Sequence, residues 1–144
     1  GTTAALGGLG GNGGSGGAGG GVCHRPAGPL RRGRVMPGYV YFADLDGGRG
    51  LKVGHSWCPR ERVRGFLRSQ KPGEPGFCSA AVVGQVPGTT TDEARVHRWF
   101  AADRIRRVRS RECYRKTPAI AAAVAAILAA GSVPDTCPAE VACG

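Results

Sequence analysis

Residues 38–54 read GYVYFADLDGGRGLKVG, and this stretch decides the fold. Gly38 to Ala43 is aromatic and β-branched, the composition that suits a pleated, half-buried strand. Leu51 to Gly54 is a second short run of the same kind. Between them lies Asp44-Leu45-Asp46-Gly47-Gly48-Arg49-Gly50, rich in the residues that accept the backbone angles of tight turns. The unit reads as a β-hairpin with two open registers. A turn at Asp46-Gly47, the register expected here, opposes Tyr41 to Lys52. A turn at Gly47-Gly48 opposes Tyr41 to Gly54.

Beyond the hairpin, Pro59 stands where a first helical turn tolerates proline. Val63, Phe66 and Leu67 follow at i, i+3 and i+4, which predicts a helix from Pro59 to about Gln70. Lys71-Pro72-Gly73-Glu74-Pro75-Gly76 breaks the chain before a third strand, Phe77 to Val86. Thr90 with Glu93 three residues on signals a capping box, and Val96, Trp99 and Phe100 form the apolar stripe of a second helix. Thr117-Pro118 opens an Ala-rich helix that Gly131 ends. The order β-β-α-β-α-α defines an α/β (α+β) fold, with a small, three-stranded, mainly antiparallel sheet flanked by helices. The core spans residues 36–116, the Ala-rich helix residues 117–131, and residues 132–144 read as a tail. Residues 1–35 are too rich in Gly to offset their backbone entropy and are expected to be disordered. Met36 is the sole methionine, so the chain is either a fragment or starts natively at Met36.

A chain of 144 residues holds one core of ordinary size. Its twenty Lys and Arg, seventeen of them Arg, outnumber ten Asp and Glu and leave a formal charge of +10, which favours an anionic partner. The competing explanation is a genome-wide bias towards Arg, Ala and Gly. The longest apolar run, Ala119 to Ala130, falls short of the roughly 20 residues a membrane span needs. With no basic-then-apolar start, neither a membrane nor a secretory role is expected, and the location reads as cytoplasmic. The six cysteines lack a C-x-x-C pair and are expected to be mostly reduced thiols.

Five positions can carry chemistry. A phenol beside an ammonium ionises more easily, so Tyr41 facing Lys52 can orient or deprotonate a water; the plainer reading packs Tyr41 and sends Lys52 to solvent. Arg62, in the first turn of the first helix, can hold a phosphate by paired hydrogen bonds and stabilise charge developing on it. It also belongs to a run with Arg60, Arg64 and Arg68 that reads equally as a solvated basic face. Glu93 and His97, at i and i+4, share one helix face. Glu93 offers a hard oxygen of the kind Mg²⁺ takes, against a plain capping role after Thr90.

Together these residues resemble the GIY-YIG nuclease superfamily, above all its compact branch found in phage and in fungal meiotic proteins, where lysine replaces tyrosine in the second motif. Tyr39-Val40-Tyr41 is similar to the first motif and Lys52-Val53-Gly54 to the second. His55-Ser56-Trp57-Cys58-Pro59-Arg60-Glu61-Arg62 is similar to the stretch ending in the catalytic arginine. Residues 91–100, TDEARVHRWF, match the helix with the metal-binding glutamate and its E-x-x-x-H-x-x-F pattern. Arg111-Glu112-Cys113-Tyr114 is similar to the acidic-aromatic segment that follows. Tyr39 stands where the first motif has glycine, and Arg111 where the branch tends to have glycine.

The resemblance covers residues 38–114 and implies metal-dependent hydrolysis of DNA phosphodiesters. Tyr41 would be general base or water-orienting group, with Lys52 stabilising its charged form. Arg62 would bind the scissile phosphate. Glu93 would hold Mg²⁺ or Mn²⁺, which would neutralise the leaving oxygen, and His97 would bond the phosphate, orient Glu93 or serve structure alone. Arg64, Arg68, Arg95, Arg98, Arg106, Arg107 and Arg109 would contact the DNA backbone largely without regard to sequence. No organic cofactor is implied. A DNA-binding module of the same fold without cleavage is the alternative.

Overall fold

The expected hairpin is present in the computed structural model, which describes residues 38–140. The readings of the glycine tract, of the Arg31, Arg32 and Arg34 cluster, of Met36 and of Cys23 and Cys143 lie outside the described residues. Strand β1 (Tyr39–Leu45) pairs antiparallel with β2 (Gly50–Ser56). The register differs from the one expected: Tyr41 faces Gly54, and Lys52 faces Ala43. Two causes are visible. Asp46, Gly47 and Gly48 all take positive φ, so the loop consumes both glycines and Arg49 before Leu45 meets Gly50. The Asp46 carboxylate is also engaged, accepting from the backbone N–H of Cys78 at 2.7 Å and of Ser79 at 3.1 Å.

Helix α1 (Pro59–Arg68) begins at its proline as expected. Strand β3 runs Ala80–Pro87, starting three residues later than the apolar pattern suggested. The backbone before it is bonded by side chains instead of a neighbouring strand. Gln70 Nε2 donates to the Phe77 carbonyl and Oε1 accepts from the Phe77 N–H, both at 2.6 Å. Helix α2 (Thr90–Phe100) is capped by Thr89, not Thr90, in a reciprocal box with Asp92. The shift of one residue releases Glu93 from capping.

A fourth strand, β4 (Cys113–Arg115), pairs with β2, so the sheet has four strands in the order β3-β1-β2-β4, antiparallel throughout. Three residues are too few to show a period of two, which is why the sequence pattern gave three strands. Helix α3 (Pro118–Ala130) has Thr117 accepting from the Ile120 N–H and Gly131 as a left-handed cap. Residues 132–140 do more than trail. Val133, Cys137 and Ala139 pack against the core, and the Pro134 carbonyl accepts from Arg95.

Successive residues of a strand point to opposite faces. Val40, Phe42, Leu51 and Val53 turn to one face and join Val96, Phe100, Tyr114, Ile120 and Ile127 in the main core. Tyr41 and Ala43 turn to the other and pack with Val63 of α1. Lys52 shares this second face, since it opposes Ala43. Val83 falls in a bulge of β3 opposite Phe42 and Ala43 and is the exposed large apolar side chain among the described residues. Among the described cysteines Cys58 is disulfide-bonded, while Cys78, Cys113 and Cys137 are free.

Candidate functional site

Tyr41, with 1% exposure, lies across Gly54. A Cβ on Gly54 would sit 2.5 Å from Cζ of the Tyr41 ring, so this approach requires glycine. Gly54→Ala is therefore expected to lower stability by about 1–3 kcal/mol, the usual cost of forcing extra volume into a packed site. Urea unfolding checks it, and an unchanged midpoint would contradict the packing of Tyr41 on Gly54.

Lys52 is buried, with 3% exposure. Its ammonium stands 4.9 Å from the ring centroid of Phe66 and 5.9 Å from that of Tyr41, and it donates to Glu112 Oε1 at 2.5 Å. The charge is thus committed to a carboxylate, in place of the role expected beside the phenol. Burial pushes the Tyr41 phenol well above its ordinary pKa; Glu112 and Glu93 add to the rise, and Arg62 opposes it. At neutral pH Tyr41 carries its proton.

Glu93 and His97 project from α2 to the same place. His97 Nε2 is 3.1 Å from Glu93 Oε2, and Nδ1 meets the Tyr114 hydroxyl. A carboxylate only accepts, so in the neutral ring Nε2 carries the hydrogen and Nδ1 accepts from Tyr114. Tyr114 is itself fixed in the core, edge-on to Phe100 at 5.7 Å. The chain Tyr114–His97–Glu93 therefore holds one carboxylate oxygen and leaves the other open. Burial works against the Glu93 charge, but the His97 hydrogen bond, then the charges of His97, His55 and Lys52, outweigh it and keep the carboxyl below its ordinary pKa.

Glu112 completes the cluster. Its backbone carbonyl accepts from the Val53 N–H at 3.0 Å, locking it beside the middle of β2. One ligand atom each from Glu93, His97 and Glu112 lie within 4.8 Å of one another. Glu93 Oε1 and Glu112 Oε2 have no hydrogen-bond partner among the described residues. Two open carboxylate oxygens suit a hard divalent cation. Sequence reasoning gave Glu112 no role. Its signal lay in the Glu112-Cys113-Tyr114 segment, but only the β2–β4 pairing brings it to Lys52.

Arg62 is exposed and forms no ion pair among the described residues, yet its charge reaches Tyr41. The other arginines divide. Arg64, Arg68, Arg98 and Arg106 are exposed and unpaired among the described residues. Arg95 is engaged by Asp92 at 3.2 Å and by the Pro134 carbonyl at 3.1 Å. Arg109 pairs with Glu74 at 3.3 Å while staying exposed, and Arg107 stacks 5.7 Å over the Phe77 ring.

Fold and site together define an α+β domain with a carboxylate–imidazole–ammonium cluster beside the middle of strand β2. Comparison with protein-family models, curated proteins and solved structures finds no match. Among the described residues no helix is long and apolar enough to cross a membrane.

Proposed function

We propose that the protein is a metal-dependent DNA endonuclease of the GIY-YIG type that binds the backbone largely independently of sequence. The observation that carries this reading is the linked cluster in which Lys52 meets Tyr41 and Glu112, and Glu112 lies with Glu93 and His97, drawn from three strands or strand ends and one helix. Arg62, unpaired among the described residues, stands nearby to receive a phosphate by paired hydrogen bonds. Its guanidinium stabilises charge that develops on the phosphoryl oxygens. The Tyr41 hydroxyl, protonated as it is, orients the attacking water by hydrogen bonding and does not abstract its proton. Glu93 and Glu112 hold Mg²⁺ or Mn²⁺, with His97 fixing the orientation of Glu93 as outer partners of metal ligands do. A divalent ion so held supplies positive charge for the leaving oxygen. Arg64, Arg68, Arg98 and Arg106 contact backbone phosphates, and the partner is DNA with no organic cofactor.

A second reading, a DNA-binding module without cleavage, is favoured by the commitment of Lys52 to Glu112. Supercoiled plasmid separates the two. Nicking that appears with Mn²⁺ or Mg²⁺ and stops on chelation is the expected result for the full chain. A folded protein that retards DNA on a gel but never nicks it would support the binding module.

A further inference from the structure

Next to the Lys52–Glu112 pair is a pocket of about 170 Å³, framed by the end of α1, the turn before β3 and the loop that leads to β4. Phe66 and Phe77 line it, with ring centroids 6.2 Å apart, and its polar rim is Ser69, Gln70, Lys71, Ser110 and the paired Glu74 and Arg109. Both ends touch the candidate site. The Phe66 ring carries the Lys52 ammonium, and Ser110 Oγ accepts from the Glu112 N–H at 3.2 Å. The two-way bond between Gln70 and Phe77 ties one wall to another, so the pocket is preformed.

Size and charge define the occupant. The volume lies below the roughly 300 Å³ at which drug-sized ligand sites begin, so one heterocycle fits and a base pair does not. The loop that forms one wall carries Arg104, Arg106, Arg107, Arg109 and Arg111, a density of cations suited to a phosphate backbone. Aromatic rings beside such a cationic track are how proteins hold unpaired bases. We propose that this pocket receives one unpaired base of the DNA strand at the site, so that the preferred substrates are single-stranded, flapped or bulged DNA. The inference rests on the reading of the protein as DNA-binding.

Fluorescence anisotropy of the full chain in EDTA tests it, comparing a continuous duplex with the same duplex bearing one bulged 2-aminopurine. The bulged duplex should bind about tenfold more tightly, within the range that stacking of one base contributes, and the 2-aminopurine emission should fall. Ser69→Leu, at an exposed position on the rim, should erase that preference while leaving affinity for continuous duplex within about twofold, since one stacked base is what it removes. Equal affinity for the two duplexes, or a preference that survives Ser69→Leu, overturns the pocket assignment and leaves DNA binding standing. Tighter binding of an RNA counterpart overturns the assignment to DNA. Absence of binding to any of these overturns the DNA-binding reading and this inference with it.

Discussion

Glu93→Ala should leave a folded protein whose nicking rate has fallen by about a thousandfold or more. The size follows from several kcal/mol of charge stabilisation that a bound divalent ion gives, at about 1.4 kcal/mol for each factor of ten. Folding should suffer little. Burial opposes the Glu93 charge, so its loss relieves a penalty while depriving His97 of a hydrogen-bond acceptor. The net change in stability should be about 1 kcal/mol, the usual scale for one such bond. Isothermal titration with Mn²⁺ gives the readout besides activity, and binding should vanish in the variant. Undiminished nicking or Mn²⁺ binding by Glu93→Ala would remove Glu93 from the metal site.

Glu112→Ala should have the largest effect on stability, about 3 kcal/mol, because it strands a buried ammonium; removal of one partner from a buried pair costs about 3–5 kcal/mol. The lower end applies because the Lys52 side chain is 4% exposed but that of Glu112 is 42% exposed and partly solvated. The double variant Lys52→Met/Glu112→Gln should return to within about 1 kcal/mol of the parent, since buried pairs replaced by uncharged side chains of similar size are often neutral. Denaturant midpoints for the parent and the two variants make the comparison. If the double variant is as unstable as Glu112→Ala, the pair acts through something other than its charges. Nicking by the double variant should stay low even with stability restored, because it lacks a metal carboxylate.

The sequence showed the hairpin, all three helices and the cluster formed by Glu93 and His97, because each announces itself over a short span. Pro59, the Val63-Phe66-Leu67 spacing and Gly131 mark helices by local chemistry alone. What it concealed depended on distant partners. The hairpin register turned on whether a ring at Tyr41 lies over a glycine, and on Asp46 bonding to residues 78 and 79. Strand β4 is set by β2, and Glu112 acquires a function only through that pairing. The cap of α2 was missed by one residue because Thr89, Thr90 and Thr91 are adjacent, and the difference decides whether Glu93 caps a helix or faces the cluster. The bond from Arg95 to the Pro134 carbonyl was hidden because the chain past residue 132 carries no periodicity.

Strand β4 also imposes an order in time. Lys52 and Glu112 are separated by 60 positions. At about 5–20 residues per second, a ribosome takes some 3–12 seconds to add the intervening chain. Over that interval the emerging hairpin carries an ammonium with no carboxylate, and Tyr114 has yet to reach His97. Residues 113–115 pair with β2, and the same segment sets Glu112 beside Lys52 and Tyr114 beside His97. The complete cluster is thus absent from every shorter nascent chain, which lacks Glu112 or Tyr114.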